Sequence, residues 1–142
     1  MIIYVEKTHD DANIRTTYND QSAAFDIASV EDVVIEPHNF KEVDVGLKMC
    51  PKDPNYYLIF HTRSSFGKRG LRVHPGVIDW GFVGPLSVIV YNHTDQPQHI
   101  NKGDFVAQVT LELKQKTEFN FVNNISDFIQ GERGTNGFGS TN

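Results

Sequence analysis

Several features that mark common protein classes are scarce or missing in this sequence. Cys50 is the only cysteine among 142 residues, so no internal disulfide can form and a reducing, intracellular compartment is expected. No apolar run approaches the length of a membrane span, and the first residues lack the basic region and apolar core of a signal peptide. With a net charge of −5, the chain as a whole is not expected to bind nucleic acid. Any phosphate binding must therefore come from local clusters of positive side chains.

Long amphipathic helices are also missing, and short strands separated by turns take their place. The composition, 39% hydrophobic and 22% charged, is typical of a soluble globular protein of one domain. Alternation of apolar and polar residues predicts one strand across Val43–Met49, and Glu6–Asp20 is expected to be a loop. Other predicted strands are Met1–Val5, Ser22–Ser29, Val33–Ile35, Tyr56–His61, Asp104–Leu113 and Phe119–Val122. This pattern predicts an all-β sandwich, barrel or jelly roll.

The stretch Gly70–Asn92 is expected to form a β-hairpin followed by a long apolar strand. It contains one carboxylate, Asp79, between an apolar strand end and the aromatic rings of Trp80 and Phe82. An aspartate in a turn commonly caps backbone N–H groups. The alternative is that this charge has a partner or a chemical role, since a charge among apolar groups is costly without one.

A cluster of positive residues follows the predicted strand Tyr56–His61. Ser64 and Ser65 are expected to cap a short helical turn that Gly70 ends. A guanidinium beside hydroxyls at a helix start suits an anion, although a solvated basic turn is equally compatible with the composition. The positive residues are Arg63, Lys68, Arg69 and Arg72.

The C-terminal stretch Gly131–Asn142 is rich in glycine and is not expected to form regular structure. A frayed terminus is the ordinary interpretation. The same residues can also act as a lid over a nucleotide, since Phe138 can stack on a flat ring and the others can bind phosphate. These phosphate-binding groups are Arg133, the N–H groups of Gly137 and Gly139, and the hydroxyls of Ser140 and Thr141.

The sequence contains no motif for a nucleophilic enzyme. No serine nucleophile motif is present, and no histidine partner is evident for Cys50. The histidines lack metal-ligand spacing with Cys or Glu, so no structural zinc is expected. Attack by water with a carboxylate as base stays open.

In combination these segments resemble the dUTPase family, trimeric type (deoxyuridine triphosphate nucleotidohydrolase). The five family motifs occur in order over nearly the whole chain. They match Ser22–Asp26, Arg63–Ser65, Gly76–Asp79 with Phe82 and Gly84, Gly103–Gln108, and Arg133–Gly134 with Gly137–Thr141. The resemblance implies a single-domain jelly roll, or distorted β-barrel, over residues 1–130 and a flexible C-terminal lid over residues 131–142.

The resemblance also implies an activity, which is Mg²⁺-dependent hydrolysis of dUTP to dUMP and pyrophosphate by water attack on the α-phosphorus. Asp79 would be the general base, in a homotrimer whose subunits share each site. Mg²⁺ would be held mainly by the phosphates, with Asp26 nearby through water. The substrate-binding residues would be Arg63, Ser64, Ser65, Gly76, Val77, Ile78, Phe82, Gln108, Arg133, Phe138, Gly139, Ser140 and Thr141.

Several positions depart from the family pattern near the base-binding segment. Phe82 stands where the family usually has the tyrosine that packs on deoxyribose, so discrimination against UTP is expected to survive with reduced strength. Pro75, after His74, removes one backbone N–H from the segment that would bind the base. Val83 and Pro85 replace more polar residues.

Two alternatives remain open at this point. The first is a dCTP deaminase or a bifunctional homologue, whose corresponding segments look alike. Those enzymes need a glutamate where Ile89 stands here, and an aliphatic side chain cannot transfer a proton. The second is a dUTPase-derived nucleotide-binding or regulatory protein with weak catalysis, which the retained Asp79, Arg63 and Gln108 argue against.

Overall fold

Short antiparallel strands build most of the molecule. The structure is a computed structural model that describes residues 1–139. Its strands are β1 (Ile3–Lys7), β2 (Ile14–Arg15), β3 (Phe25–Ala28), β4 (Val33–Ile35), β5 (Phe40–Asp44), β6 (Leu47–Pro51), β7 (Tyr56–His61), β8 (Leu71–Val73), β9 (Val77–Ile78), β10 (Ser87–Asn92), β11 (Gln98–Ile100) and β12 (Phe105–Leu113). The described helical segments are α1 (Ser64–Lys68) and a 3₁₀ turn at Ile125–Asp127. None of the helices in this range could cross a membrane.

The strands pair into a five-stranded sheet and smaller sheets around one core. The order in the largest sheet is β2–β3–β12–β7–β9, and a second sheet has the order β5–β10–β8. The strands β1 and β6 form a pair, as do β4 and β11. The largest fully buried side chains are Ile27, Ile35, Leu47, Met49, Leu58, Leu71, Ile100, Val43, Val45, Val88, Val90 and Val106. The predicted all-β class is therefore confirmed.

Alternation identified buried positions better than it identified strand ends. The predicted bounds of β4 and β7 agree with the structure, and β12 begins one residue later than predicted. The predicted single strand Val43–Met49 is wrong, because β5 ends at Asp44 and β6 begins at Leu47. Gly46 separates them with a φ of +64°, a conformation that glycine adopts without strain. The alternation nevertheless predicts burial, since Val43 and Met49 both lie in the core.

The predicted hairpin within Gly70–Asn92 is also wrong. The strand β8 pairs with β10, whereas β9 pairs with β7 in the other sheet. Pro75 lies between β8 and β9, and it has no N–H to donate to a ladder between them. This segment therefore crosses from one sheet to the other and carries Asp79 to the edge of the five-stranded sheet.

The polar segments contain strands that the sequence did not predict, and one predicted strand is missing. The expected loop Glu6–Asp20 includes the end of β1 and all of β2, and β11 lies within the polar stretch before β12. The predicted strand Phe119–Val122 has no partner strand within residues 1–139. Phe121 is fully exposed, so this segment lacks the apolar contact that stabilises a strand.

The loop before β2 is held by an ion pair with the turn before β12. Lys102 contacts the carboxylate of Asp11 through its ammonium group. The hydrogen bond and the positive charge of Lys102 hold the pKa of Asp11 below its usual value. The backbone N–H of Lys102 also donates to Asp32 Oδ1 at 2.8 Å. The strand β2 begins shortly after Asp11, and it pairs with β3.

Candidate active site

Polar side chains lie in a row across four strands of the five-stranded sheet. Arg15 on β2 pairs with Asp26 on β3. Asp26 in turn pairs with Gln108 on β12, and Gln108 pairs with His61 on β7. Directly paired residues in antiparallel strands point to the same face of the sheet. The register therefore gathers a cation, an anion, an amide and an imidazole at one end of the sheet.

These residues line a cleft of about 680 Å³, which we call the arginine cleft. It is open to solvent and contains predicted site residues from three motifs. Its lining residues are Arg15, Thr17, Tyr18, Ser22, Ala23, Ala24, Asp26, His61, Arg63, Ser64, Ser65, Gln108 and Thr110. The structure thus brings together five residues of the predicted site, namely Asp26, Arg63, Ser64, Ser65 and Gln108.

The carboxylate of Asp26 contacts the guanidinium groups of Arg15 and Arg63. Its Oδ2 accepts a hydrogen bond from Arg15 Nε at 3.1 Å, and its Oδ1 lies 3.2 Å from Arg63 Nε. The Asp26 side chain is 13% exposed, and a carboxylate this far from water needs such partners. Arg63 also donates from Nη1 to the carbonyl of Phe105 at 2.9 Å. The Arg15 guanidinium lies 3.8 Å from the centre of the Phe105 ring, within the range of a cation–π contact.

The short helix α1 begins directly after Arg63. Arg63 has an extended backbone, with φ −74° and ψ 147°, and its side chain does not cap the helix. The prediction that Ser64 and Ser65 cap this helix is wrong, because both lie inside its first turn. Their hydroxyls are therefore left to line the arginine cleft. Gly70 follows the helix with φ +74°, as predicted for a residue that ends it.

The side chains of β12 and β7 that face the cleft are oriented by hydrogen bonds. Gln108 donates from Nε2 to the carbonyl of Thr62 at 3.1 Å. His61 Nε2 lies 2.8 Å from Thr110 Oγ1. Because Thr62 directly precedes Arg63, the amide of Gln108 also helps to fix the start of the arginine segment.

Asp79 occupies an exposed turn that is attached to the end of β6. The turn closes with a hydrogen bond from the N–H of Phe82 to the carbonyl of Asp79, at 3.2 Å. Trp80 donates from Nε1 to the carbonyl of Pro51 at 3.0 Å, and the N–H of Gly81 lies 3.4 Å from Cys50 Sγ. The two central residues of the turn are thus attached to the end of β6, whereas Asp79 itself is exposed.

The predicted base-binding residues line two clefts on either side of this turn. One, of about 220 Å³, includes Gly76, Ile78 and Phe82, and we call it the Phe82 cleft. Ile89, the position weighed for a deaminase glutamate, also lines it. The other has a volume of about 520 Å³ and contains Val77 and Asp79. A Cβ on Gly84 would lie 2.7 Å from the Phe82 ring, so that ring rests directly against the glycine.

The structure does not bring Asp79 to the arginine cleft within one chain. On β9, Ile78 pairs with Leu58 of β7, which places Asp79 near Tyr57 at the start of that strand. The arginine cleft lies at the other end, beside His61. At about 3.3 Å per residue, the strand from Tyr57 to His61 separates them by about 13 Å.

The described part of the C-terminal stretch, residues 131–139, does not line the arginine cleft or the two clefts beside the Asp79 turn. Arg133 donates from Nε to the carbonyl of Asn136 at 2.5 Å, within its own turn. The ring of Phe138 is fully exposed, and Gly139 has a φ of +85°. Ser140 and Thr141 lie outside the described residues.

The comparisons with known proteins agree with the sequence motifs. A family model for dUTPase matches residues 10–142. This chain belongs to the dUTPase family. A deoxyuridine 5'-triphosphate nucleotidohydrolase of Yarrowia lipolytica is 32% identical over 141 residues, which cover 99% of this chain and 89% of that protein.

Solved dUTPase structures confirm the jelly-roll fold. The Staphylococcus bacteriophage 80alpha dUTPase with dUPNHPP aligns with a TM-score of 0.86 at 22% identity, covering 98% of this chain and 97% of that chain. A mutant dUTPase from phage phi11 of S. aureus, described with a structural Mg(II) ion, aligns with a TM-score of 0.79 at 20% identity. That alignment covers 87% of this chain and 98% of the phage chain.

Magnesium would have to bind this dUTPase-family chain without a preformed cage of protein ligands. Within residues 1–139 no group of three or more His, Cys, Asp or Glu side chains could hold a metal ion. Asp26 is the carboxylate of the arginine cleft. This donor set fits an ion that is held mainly by substrate phosphates, which is common for Mg²⁺.

Sequence reasoning missed Arg15, Phe105 and His61 as members of the site. Arg15 stands in a segment expected to be a loop, and its partner Asp26 is eleven positions later. The alternation of β12 predicted its strand, but the register shift between Phe105 and Ala107 could not be foreseen. A β-bulge changes the direction of the side chains beside it. The position of the Phe105 ring under Arg15 therefore depends on tertiary structure.

The shared carboxylate of Asp26 provides a stability prediction. We expect Asp26→Asn to lower the free energy of unfolding by about 1–3 kcal/mol, because hydrogen bonds to charged groups are lost and two guanidiniums remain close together. Urea denaturation would measure the change. Asp95→Asn is the matched control, since the Asp95 side chain is 92% exposed and, within residues 1–139, its ion-pair partner is His38. Equal losses for the two variants would contradict the assigned role of Asp26.

Proposed function

We propose that this chain hydrolyses dUTP to dUMP and pyrophosphate. The observation that carries this proposal is the arginine cleft, which gathers Asp26, Arg63 and Gln108 from separate motifs of a dUTPase-family chain. The Yarrowia lipolytica relative is named for this reaction, and the bacteriophage 80alpha structure was solved with dUPNHPP.

The phosphate chain would bind in the arginine cleft. Guanidinium and amide N–H groups donate to phosphate oxygens, and the hydroxyls of Ser64 and Ser65 can do the same. Phosphoryl transfer needs positioning and neutralisation of charge more than covalent help. Arg63 suits this task because Asp26 and the Phe105 carbonyl fix its orientation before any ligand binds.

Asp79 would act as the general base. A carboxylate can accept a proton from water, and the Asp79 side chain lies on an exposed turn that water can reach. The water oxygen would form a bond with the α-phosphorus as the bond from that phosphorus to the αβ-bridging oxygen breaks. Pyrophosphate would leave with that bridging oxygen, and the water proton would move to the Asp79 carboxylate.

The separation of Asp79 from the arginine cleft supports a site shared between chains. About 13 Å of strand lies between them, so both cannot contact the same phosphorus within one chain. In a homotrimer, Asp79 of one chain would face the arginine cleft of another. Phe119, Phe121 and Phe128 are largely exposed in the single chain and would gain apolar contacts in such an assembly.

The base and sugar would bind against the segment Gly76–Phe82. Backbone groups of Gly76, Val77 and Ile78 would contact uracil, and the Phe82 ring would pack on deoxyribose. Because Phe82 rests against Gly84, the position of its ring is restricted before substrate binds. Phenylalanine keeps the ring face but lacks a hydroxyl, so UTP would be rejected less strongly than by a tyrosine.

Magnesium would bind with the substrate. It would supply neutralisation of the triphosphate charge, held mainly by phosphate oxygens with Asp26 nearby through water. Arg133, Ser140 and Thr141 would approach the γ-phosphate from the C-terminal lid, and Phe138 would stack on uracil. The backbone N–H of Gly139 would donate a hydrogen bond to the phosphates.

The direct test is release of pyrophosphate from dUTP, dCTP, dTTP and UTP in the presence of Mg²⁺. We expect fast release from dUTP, slow release from UTP, and loss of release when EDTA removes the metal. Ammonia is followed in the dCTP reaction, and its appearance would show that Ile89 does not exclude deamination. Absence of turnover with all four nucleotides would overturn the proposal and favour a regulatory nucleotide-binding protein.

Replacement of the base tests the role of Asp79. We expect Asp79→Asn to bind dUTP normally while kcat falls by about 10² or more, the size of a general-base contribution. Asp95 lines neither the arginine cleft nor the clefts beside the Asp79 turn, so Asp95→Asn is expected to keep normal turnover. Single-turnover kinetics and calorimetry with dUpNHpp separate chemistry from binding. Near-normal kcat for Asp79→Asn would show that another group accepts the proton.

Removal of residues 131–142 tests the lid. We expect the shortened protein to stay folded and trimeric while kcat/KM for dUTP falls on the order of 10², because phosphate-binding donors are lost. Deletion of Asn142 alone serves as the control. Light scattering and thermal unfolding check assembly and stability. Full activity without residues 131–142 would exclude a catalytic role for this stretch.

A further inference from the structure

We propose that Arg15 is a substrate-binding residue of the arginine cleft that contributes positive charge for a polyphosphate. This inference rests on the proposed function, because it names a further contact for the same triphosphate. Arg15 lies outside the five family motifs that the sequence contains. The structure places it in the lining of the cleft, on the short strand β2.

The charge balance of the cleft depends on Arg15. Its lining includes two guanidiniums, from Arg15 and Arg63, and one carboxylate, from Asp26. The net formal charge of these three groups is therefore +1. Without Arg15, the pair of Arg63 and Asp26 would be neutral, and the cleft would attract a polyphosphate much less.

Arg15 is held in place while much of its side chain stays accessible. Its Nε donates to Asp26 Oδ2 at 3.1 Å, and its guanidinium stacks on Phe105 at 3.8 Å. Within residues 1–139, the side-chain hydrogen bond found for Arg15 uses Nε. The side chain is 43% exposed, which leaves the two terminal amino groups able to donate to phosphate oxygens.

The contact with Asp26 has a second effect on the cleft. Arg15 occupies one carboxylate oxygen, and Arg63 approaches the other. The negative charge of Asp26 is thus divided between two cations and does not cancel Arg63 alone. A planar guanidinium suits this geometry, since it can stack on a ring and donate along its edge at once.

The alternative is a purely structural role, in which Arg15 only holds β2 against β3. The test must therefore measure anion binding together with stability. We would use the full-length protein and follow inorganic tripolyphosphate by calorimetry in EDTA, so that no metal contributes. Arg69→Gln is the matched control, because Arg69 also lies near a ring, that of Phe66 at 5.4 Å, and donates to the His99 carbonyl, but outside the cleft.

We expect Arg15→Gln to raise the Kd for tripolyphosphate about 10-fold, the size of one lost charge-assisted hydrogen bond. The KM for dUTP should rise by a similar factor while kcat stays within about threefold, because Asp79 is unchanged. Arg15→Lys should bind better than Arg15→Gln because it keeps the charge. Phe105→Leu, which removes the ring but no charge, should fall between wild type and Arg15→Gln.

Three results would overturn the proposal. The first is an unchanged affinity for tripolyphosphate in Arg15→Gln, and the second is no binding of tripolyphosphate by the wild type. The third is an equal loss of affinity in Arg15→Gln and Arg69→Gln. If Arg15→Gln fails to fold, the same calorimetry with Arg15→Lys and Phe105→Leu tests the proposal instead. Failure of the wild type to hydrolyse dUTP would refute the proposed function separately, since tripolyphosphate binding requires no catalysis.

Discussion

The sharing of one carboxylate by two guanidiniums is the constraint on which the arginine cleft depends. Asp26 is largely withdrawn from water, and its charge requires partners there. Arg63 provides one partner and is thereby fixed at the start of α1, which sets the position of Ser64 and Ser65. Arg15 provides the other and joins β2 to the sheet. In the proposed function, the anion-binding groups would thus be arranged before any anion arrives, which would reduce the ordering cost of binding.

The five-stranded sheet explains why Asp79 and the arginine cleft lie apart within one chain. The strand β7 is a rigid spacer, with the arginine cleft beside His61 at its end and the Asp79 turn near Tyr57 at its start. Bending cannot bring these ends together without breaking the pairing with β12. The proposed assembly would overcome this separation, because a second chain could place its Asp79 beside the arginine cleft of the first.

The sequence alone predicted the fold class and five residues that line the arginine cleft, but it missed others and gave no geometry. The five are Asp26, Arg63, Ser64, Ser65 and Gln108. Alternation located buried Val43 and Met49, because burial follows side-chain period. It could not reveal the break at Gly46, since a glycine at a polar position fits either a strand or a turn. The role of Arg15 was out of reach for a related reason. Only the pairing register of β2 with β3 sets it opposite Asp26.

The proposed assembly would also account for the missing strand at Phe119–Val122. The apolar residues Phe119 and Phe121 match a strand pattern, but a strand needs a neighbour for its backbone and a surface for its side chains. Neither is supplied within residues 1–139 of one chain. Burial of one phenylalanine stabilises a protein by about 1.5–3 kcal/mol, so several exposed rings favour contact with another chain. The proposed trimer would therefore complete the fold and the active site through the same contacts.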